Sequence, residues 1–398
     1  MLSSQPNGNI DLLLNVDASW NKARATTFRL PHCTVETPVF MPVGTQASVK
    51  GLTSEQLVEI NCPIVLGNTF HLALRPGEDT LDQLGGIQKF MSWPKAVLTD
   101  SGGFQMVSLL ELSKLTEEGV WFQSPMDGKD MLLSPERSVA VQNKIGADII
   151  MALDDVVSST TTGPRVEEAM YRTIRWLDRC WNAHGRKHDQ ALFGIVQGGL
   201  DSTLRNVCLD ELVKRDLPGY AIGGLAGGED KKLFWRIVSQ CTDKLPQNKP
   251  RYCMGVGYPV DLIVCVALGV DMFDCVYPAR TARFGTALTS DGTIKIKSSS
   301  MIRDYGPLDR LCSCTVCRQY SRSFLHINFG RDETATTHLL TYHNIAHISQ
   351  LMQQLRESII EGTFPEVVRS LIHQYFQKEP IPQWICDALQ AAKIPMET

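Results

Sequence analysis

The sequence predicts a (β/α)8 TIM barrel in the α/β class. Apolar, β-rich segments recur along the chain, stretches of helical periodicity separate them, and a polar residue or glycine pair closes nearly every segment. Eight segments can be counted, at 38–43, 64–68, 96–100, 148–154, 192–197, 220–224, 251–255 and 272–276. Helices at 166–184 and 200–215 carry start signals, Pro164 before the first and Asp201 as N-cap of the second. Strands alternating with helices in this number favour a closed parallel barrel over an open doubly wound sheet.

Composition narrows the function classes. A chain of 398 residues that is 43% hydrophobic has material for one barrel-sized core. A net charge of −4 shows no global basic excess, so any nucleic-acid contact must come from a local patch. Residues 1–10 are polar, lack the pattern of a secretory signal and read as disordered. No apolar run reaches the roughly 20 residues needed to span a bilayer. The twelve cysteines therefore belong to a reduced compartment, where a cysteine cluster is a metal site and not a disulfide framework.

In a barrel the strand C-termini converge on one face. Here they carry Asn68, then Asp100-Ser101-Gly102-Gly103-Phe104-Gln105, Asp154-Asp155, Gln197-Gly198-Gly199, Gly223-Gly224 running on to Gly227-Gly228, Met254-Gly255, and Asp274. Any one alone is an ordinary turn, but their coincidence at successive strand ends describes a pocket. Asp154 accepts from two donors, Gln197 donates and accepts, and the glycines let a flat ring come close. With Phe104 and Met254 on its two faces, the pocket suits a purine-like base.

After Asp274 the chain passes through Pro278, Arg280, Arg283 and Gly285 without a helical pattern, which reads as a loop. A carboxylate able to attack an electrophile thus lies beside cations able to hold phosphates. Further on, Cys312, Cys314 and Cys317 are followed by His338, His343 and His347. Three thiolates and one histidine make a tetrahedral structural zinc site with no position left for water. Spacing alone does not choose the histidine. Residues 341–377 are helical in pattern, with Leu351, Leu355, Ile359 and Ile360 on an apolar face that packs on the barrel or forms a subunit interface.

LTDSGGFQ at 98–105, GNTFHL at 67–72, VQGG at 196–199, DMFDCV at 271–276 and the cysteine cluster resemble, in order, the tRNA-guanine transglycosylases. That resemblance implies a single barrel domain over 11–398, with a zinc-binding subdomain inserted at about 298–350 and C-terminal helices at 351–398 packing back. It implies exchange of guanine at the wobble position of GUN-anticodon tRNAs (Asp, Asn, His, Tyr) for queuine through a covalent aspartyl-ribosyl intermediate. Asp274 matches the nucleophile and Asp100 the acid/base. Asn68, Ser101, Gly102, Gly103, Phe104, Asp154, Gln197, Gly223, Gly224 and Met254 fall in the base pocket. Val156 and Gly227 stand where bacterial members carry a cysteine and a valine, which leaves room for the cyclopentenediol of queuine. Arg280, Thr281 and Arg283 fall where the family contacts the anticodon loop, and Cys312, Cys314, Cys317 and His343 match its zinc ligands. The likeness to eukaryotic members further implies a heterodimer with a non-catalytic paralogue, in the cytoplasm or peripheral at the mitochondrial outer membrane. Two other classes compete: a catalytically silent RNA-binding or assembly subunit, against which both aspartates speak, and a metal-dependent hydrolase, which would need histidines at strand ends.

Overall fold

The computed structural model describes residues 10, 12, 14–103, 113–123 and 128–396. The expected disorder of residues 1–10 concerns, apart from Ile10, residues outside that set. Eight parallel strands close into a barrel in chain order: Val39–Gly44, Ile64–Gly67, Ala96–Thr99, Ile149–Met151, Ala191–Val196, Gly219–Ile222, Arg251–Cys253 and Met272–Cys275. Each overlaps one of the segments expected from sequence. The eighth strand pairs with the first, setting Asp274 beside Met41, so the ring has no edge. Val39, Met41, Leu98, Phe193, Tyr252 and Met272 fill the interior, while Phe40, Val97, Ile150 and Leu192 pack outward under the helices. Burial on both faces is why these strands read as continuous apolar runs and not as alternating ones.

Besides the hairpin of Thr286–Thr289 with Gly292–Lys295, two antiparallel sheets were not legible as such. Leu14–Trp20, Ala23–Arg29 and Thr34–Thr37 form the first, which leads directly into the first barrel strand. Its Phe28 and Val35 join the interior cluster, so the sheet closes the end of the barrel opposite the strand C-termini. Arg24 locks it there, reaching Asp271 at 2.8 and 2.6 Å. Ser113–Leu115, Val120–Gln123 and Asp130–Leu133 form the second, between the third and fourth barrel strands.

The helices Pro164–Ala183 and Ser202–Val213 stand where expected, and Asp201 caps the second by accepting from the amides of Thr203 and Leu204. The helix expected over 341–377 is two helices, Glu333–Glu361 and Phe364–Tyr375. Gly362, at φ +75°, provides the left-handed C-cap that separates them. Leu351, Leu355 and Ile359 are buried as expected, but Ile360 is half exposed, one position off the stripe. Arg356 ties the long helix to the first antiparallel sheet through Thr26 O and Thr37 O, at 2.8 and 2.7 Å. Among the described residues no helix is long and apolar enough to cross a membrane.

Candidate active site

Asp274 lies near the end of the eighth strand, and its two named donors come from the seventh strand and the segment just after it. The Tyr252 hydroxyl reaches Oδ1 at 2.5 Å and the Gly255 amide reaches the same atom at 2.8 Å. Oδ2 has no donor among the described residues, so one carboxylate oxygen is anchored and the other is free. Burial raises the Asp274 carboxyl above its ordinary value, and the two donors oppose the rise. Tyr252 is held well above its own ordinary value by burial and by the Asp274 charge, so it stays a donor.

Asp100, at the end of the third strand, is held through both of its oxygens. The amides of Thr69 and Gly102 both donate to Oδ1 at 3.0 Å, and Asn68 Nδ2 donates to Oδ2 at 2.5 Å. Gly102 makes this turn at φ +80°, a conformation that disfavours a side chain. Burial pushes the Asp100 carboxyl up to about 7 against those donors, and the nearby Asp274 charge adds to the rise. A carboxyl near neutrality can give or take a proton at physiological pH.

The residues expected to form a base pocket gather between the fourth, fifth and sixth strands. Gln197 Nε2 donates to Asp154 Oδ2 at 2.7 Å, whereas Gln197 Oε1 is buried without a partner. An orphaned buried acceptor costs on the order of 1–3 kcal/mol, and a ligand donor placed against it would recover that cost. Burial pushes Asp154 up to about 6, with the neighbouring Asp155 charge adding and Gln197 opposing. The two adjacent aspartates take separate tasks, because Asp155 turns to Arg172 at 2.6 Å while Asp154 faces Gln197. Glycine is needed at Gly224, where φ is +68° and a Cβ would stand 2.3 Å from Gln197 Oε1. A Cβ at Gly223 would stand 3.1 Å from Gln197 Nε2 and 3.6 Å from Met254 Sδ, which places Met254 beside the amide. Ser101 also bonds Asp154, and a Cβ at Gly103 would lie within 3.4 Å of the Asp154 carbonyl.

Arg205 stands behind this pocket with 0% exposure. Its guanidinium donates to the carbonyls of Gly199, Val196 and Gly223, each at 2.8 Å, and so staples the ends of the fifth and sixth strands on either side of Gln197.

Beyond Asp274 the chain forms a short helix, Tyr277–Arg283, where sequence suggested a loop. Pro278 begins the helix instead of breaking one, since a first-turn proline loses no hydrogen bond. Arg280 and Arg283 are exposed on it. The Thr281 hydroxyl donates to Tyr277 O at 2.8 Å.

Cys312, Cys314, Cys317 and His343 are all buried, and their ligand atoms lie within 4.8 Å of one another. His343 Nδ1 lies 3.7, 3.5 and 3.3 Å from the three sulfurs in chain order, and its Nε2 is bonded to Leu288 O at 2.7 Å. That second bond fixes the tautomer and leaves Nδ1 for a metal, so the set fits a tetrahedral ion. His347 turns instead to Tyr375 and Asp309.

Residues 18–377 match the family described as Queuine tRNA-ribosyltransferase. The chain belongs to the queuine tRNA-ribosyltransferase family. It is 53% identical to the queuine tRNA-ribosyltransferase catalytic subunit of Schizosaccharomyces pombe, over 95% of this chain and 96% of that protein. The corresponding subunit of Caenorhabditis elegans is 47% identical over 92% and 95%. A bacterial queuine tRNA-ribosyltransferase, from Caldanaerobacter subterraneus, is 47% identical over 89% and 95%.

Within this family member, Asn68, Asp100, Ser101, Gly102, Gly103, Asp154, Gln197, Gly223, Gly224, Met254 and Asp274 gather at the strand C-termini. Val156 is partly exposed there, and a Cβ at Gly227 would meet Ser159 Oγ at 2.7 Å. Phe104 lies outside the described residues. Sequence reasoning missed Tyr252 and Arg205. The signal for Arg205 was available: it shares a helix stripe with Cys208, Leu209 and Leu212, all buried, where a cation needs a buried reason to stand.

Proposed function

We propose that this chain exchanges guanine at the wobble position of GUN-anticodon tRNAs for queuine by two displacements on Asp274. One observation carries the reading: Asp274 has one oxygen pinned by two donors and the other without a donor among the described residues, on the same face as Asp100, whose carboxyl three donors hold, and the Asp154–Gln197 pair. In the first half-reaction Asp274 Oδ2 bonds to the ribose C1′ as the C1′–N9 bond breaks, and the leaving guanine takes a proton from Asp100. In the second, the incoming base gives its proton to Asp100, its nitrogen bonds to C1′, and Asp274 leaves as carboxylate. Two displacements retain the anomeric configuration, as in retaining glycosidases. The base must leave the anticodon stack to reach the barrel mouth, where Asp154 and Gln197 read its edge.

Arg280, Thr281 and Arg283 belong in this reading to the anticodon-loop contact, and Val156 with Gly227 to the room for the cyclopentenediol. The metal at Cys312, Cys314, Cys317 and His343 is a structural zinc that organises a subdomain at about 298–350 and takes no part in the displacement. Similarity to proteins named catalytic subunits supports a second, non-catalytic chain as partner. The test is transfer of radiolabelled queuine into a GUN-anticodon tRNA, with and without a candidate partner chain. Absence of transfer in both would move the chain to the silent-subunit class.

A further inference from the structure

The mouth of the barrel carries an aromatic pair that the proposed chemistry does not use. The rings of Tyr258 and Tyr277 pack against each other at a tilt, with centroids 4.1 Å apart and an interplanar angle of 37°. Tyr258 is 55% exposed, so the ring face turned away from Tyr277 is open to solvent. Its hydroxyl has no hydrogen-bond partner among the described residues, and it caps the helix Pro259–Ala267 without a side-chain bond. Neither core packing nor capping accounts for a large ring held in that place.

Its position relative to the nucleophile is fixed by three contacts of the backbone. Gly255, three residues before Tyr258, donates to Asp274 Oδ1. A Cβ at Gly257 would stand 2.4 Å from Cys275 Cβ and 3.4 Å from Tyr277 Cβ, so the residue preceding Tyr258 lies against the residue following Asp274. Tyr277 opens the helix that exposes Arg280 and Arg283. A nucleophile, a ring with one free face and two cations therefore succeed one another across a few residues. Single-stranded nucleic acid is held by this combination, with phosphates on the cations and an unstacked base on the ring.

We propose that Tyr258, backed by Tyr277, is the stacking platform for the base adjoining the exchanged nucleotide, whose own neighbour in the stack is lost when the target base swings into the pocket. The proposal rests on the tRNA-guanine exchange read above. It assigns Tyr258 to RNA binding and not to the queuine or guanine pocket.

A double-mutant cycle tests it. Anticodon stem-loop RNAs, intact or abasic at the nucleotide 5′ or 3′ of the target, are assayed with the full chain in the assembly that supports exchange. The variants are wild type, Tyr258→Ala and Tyr258→Phe. Tyr258→Ala is expected to raise the KM for intact RNA about fivefold or more, the scale of one lost base stack, with the KM for the free base unchanged. Tyr258→Phe keeps the wild-type value within about twofold. One of the abasic RNAs carries the same penalty with wild type and no further penalty with Tyr258→Ala. Penalties that multiply independently on both abasic RNAs, or a KM change under about twofold for Tyr258→Ala, would overturn the platform while exchange itself stands. A wild type that exchanges nothing would sink the functional reading and the platform with it.

Discussion

The Tyr252 hydroxyl donates to Asp274 Oδ1 across 2.5 Å from inside the barrel, where its ring is fully buried. The bond favours the charged carboxylate and turns Oδ2 outward. In Tyr252→Phe the Asp274 pKa rises further, because a donor to the charged form lowers a pKa and its loss raises it. The acid limb of the rate of adduct formation accordingly moves to higher pH, and misorientation of Oδ2 costs roughly a further tenfold in rate. A pH–rate profile of the single-turnover reaction reads both, and an unmoved limb would remove Tyr252 from the account.

The Asp100 carboxyl, lifted to about 7 chiefly by burial, predicts opposite pH dependence for the two half-reactions. Expulsion of guanine needs the protonated form and so slows as pH rises through about 7. Attack by the incoming base needs the carboxylate and slows as pH falls through the same region. Rapid-quench measurement of each half-reaction between about pH 5 and 9, roughly two units either side of that value, separates them. A first half-reaction flat across the range would mean that Asp100 is not the donor.

Asp154, raised to about 6, must be ionised to accept from the base edge as well as from Gln197. Its raised value means the accepting form is present above about 6 and is lost as pH falls. The KM for guanine is expected to climb below that point in the wild type and to be high and nearly pH-independent in Asp154→Asn.

Arg205 spends its whole guanidinium on three carbonyls that flank the pocket. Arg205→Lys keeps the charge but loses the fork, so the KM for the base rises about tenfold while the KM for tRNA stays within about twofold. Arg205→Met leaves the Gly199 and Gly223 carbonyls unpaired, whereas Val196 O keeps the Gly223 amide, and lowers stability by a few kcal/mol, at about 1–3 kcal/mol for each orphaned group. Equal rises in both KM values would indicate general loosening instead of a pocket effect.

A metal at the Cys312, Cys314, Cys317 and His343 site would be linked to the helix proposed to meet the RNA by a traceable path. His343 and Asn344 are neighbours on the long helix, and Asn344 Nδ2 bonds Pro278 O and Thr286 O, both at 3.0 Å, thereby clamping the helix that carries Arg280 and Arg283. Chelation, or His343→Ala, is expected to lower the melting temperature and raise the KM for tRNA several-fold, with base affinity much less affected. A chelated protein with an unchanged melting temperature would contradict a structural metal.

The barrel was legible because strands buried on both faces are apolar throughout and stop at polar residues, and those stops are where the barrel assembles its site. Asp100, Asp154, Gln197 and Asp274 could be named for the same reason. Tyr252 could not, since a tyrosine within an apolar strand looks like core until its hydroxyl is seen to meet a carboxylate 22 residues away. Tyr277–Arg283 was hidden by Pro278, which marks a helix start as readily as a loop. Spacing left His343 and His347 open, since both lie on one helix face; the family resemblance pointed to His343, and the fold supplies the physical reason, because the bond to Leu288 O turns that ring to the sulfurs.

The most direct measurement is capture of the covalent RNA–protein adduct on a denaturing gel after incubation with a GUN-anticodon tRNA. The wild type is expected to give an adduct that a free base discharges, and Asp274→Ala to give none while still binding the RNA. An adduct that persists in Asp274→Ala would place the nucleophile elsewhere and contradict the account at its centre.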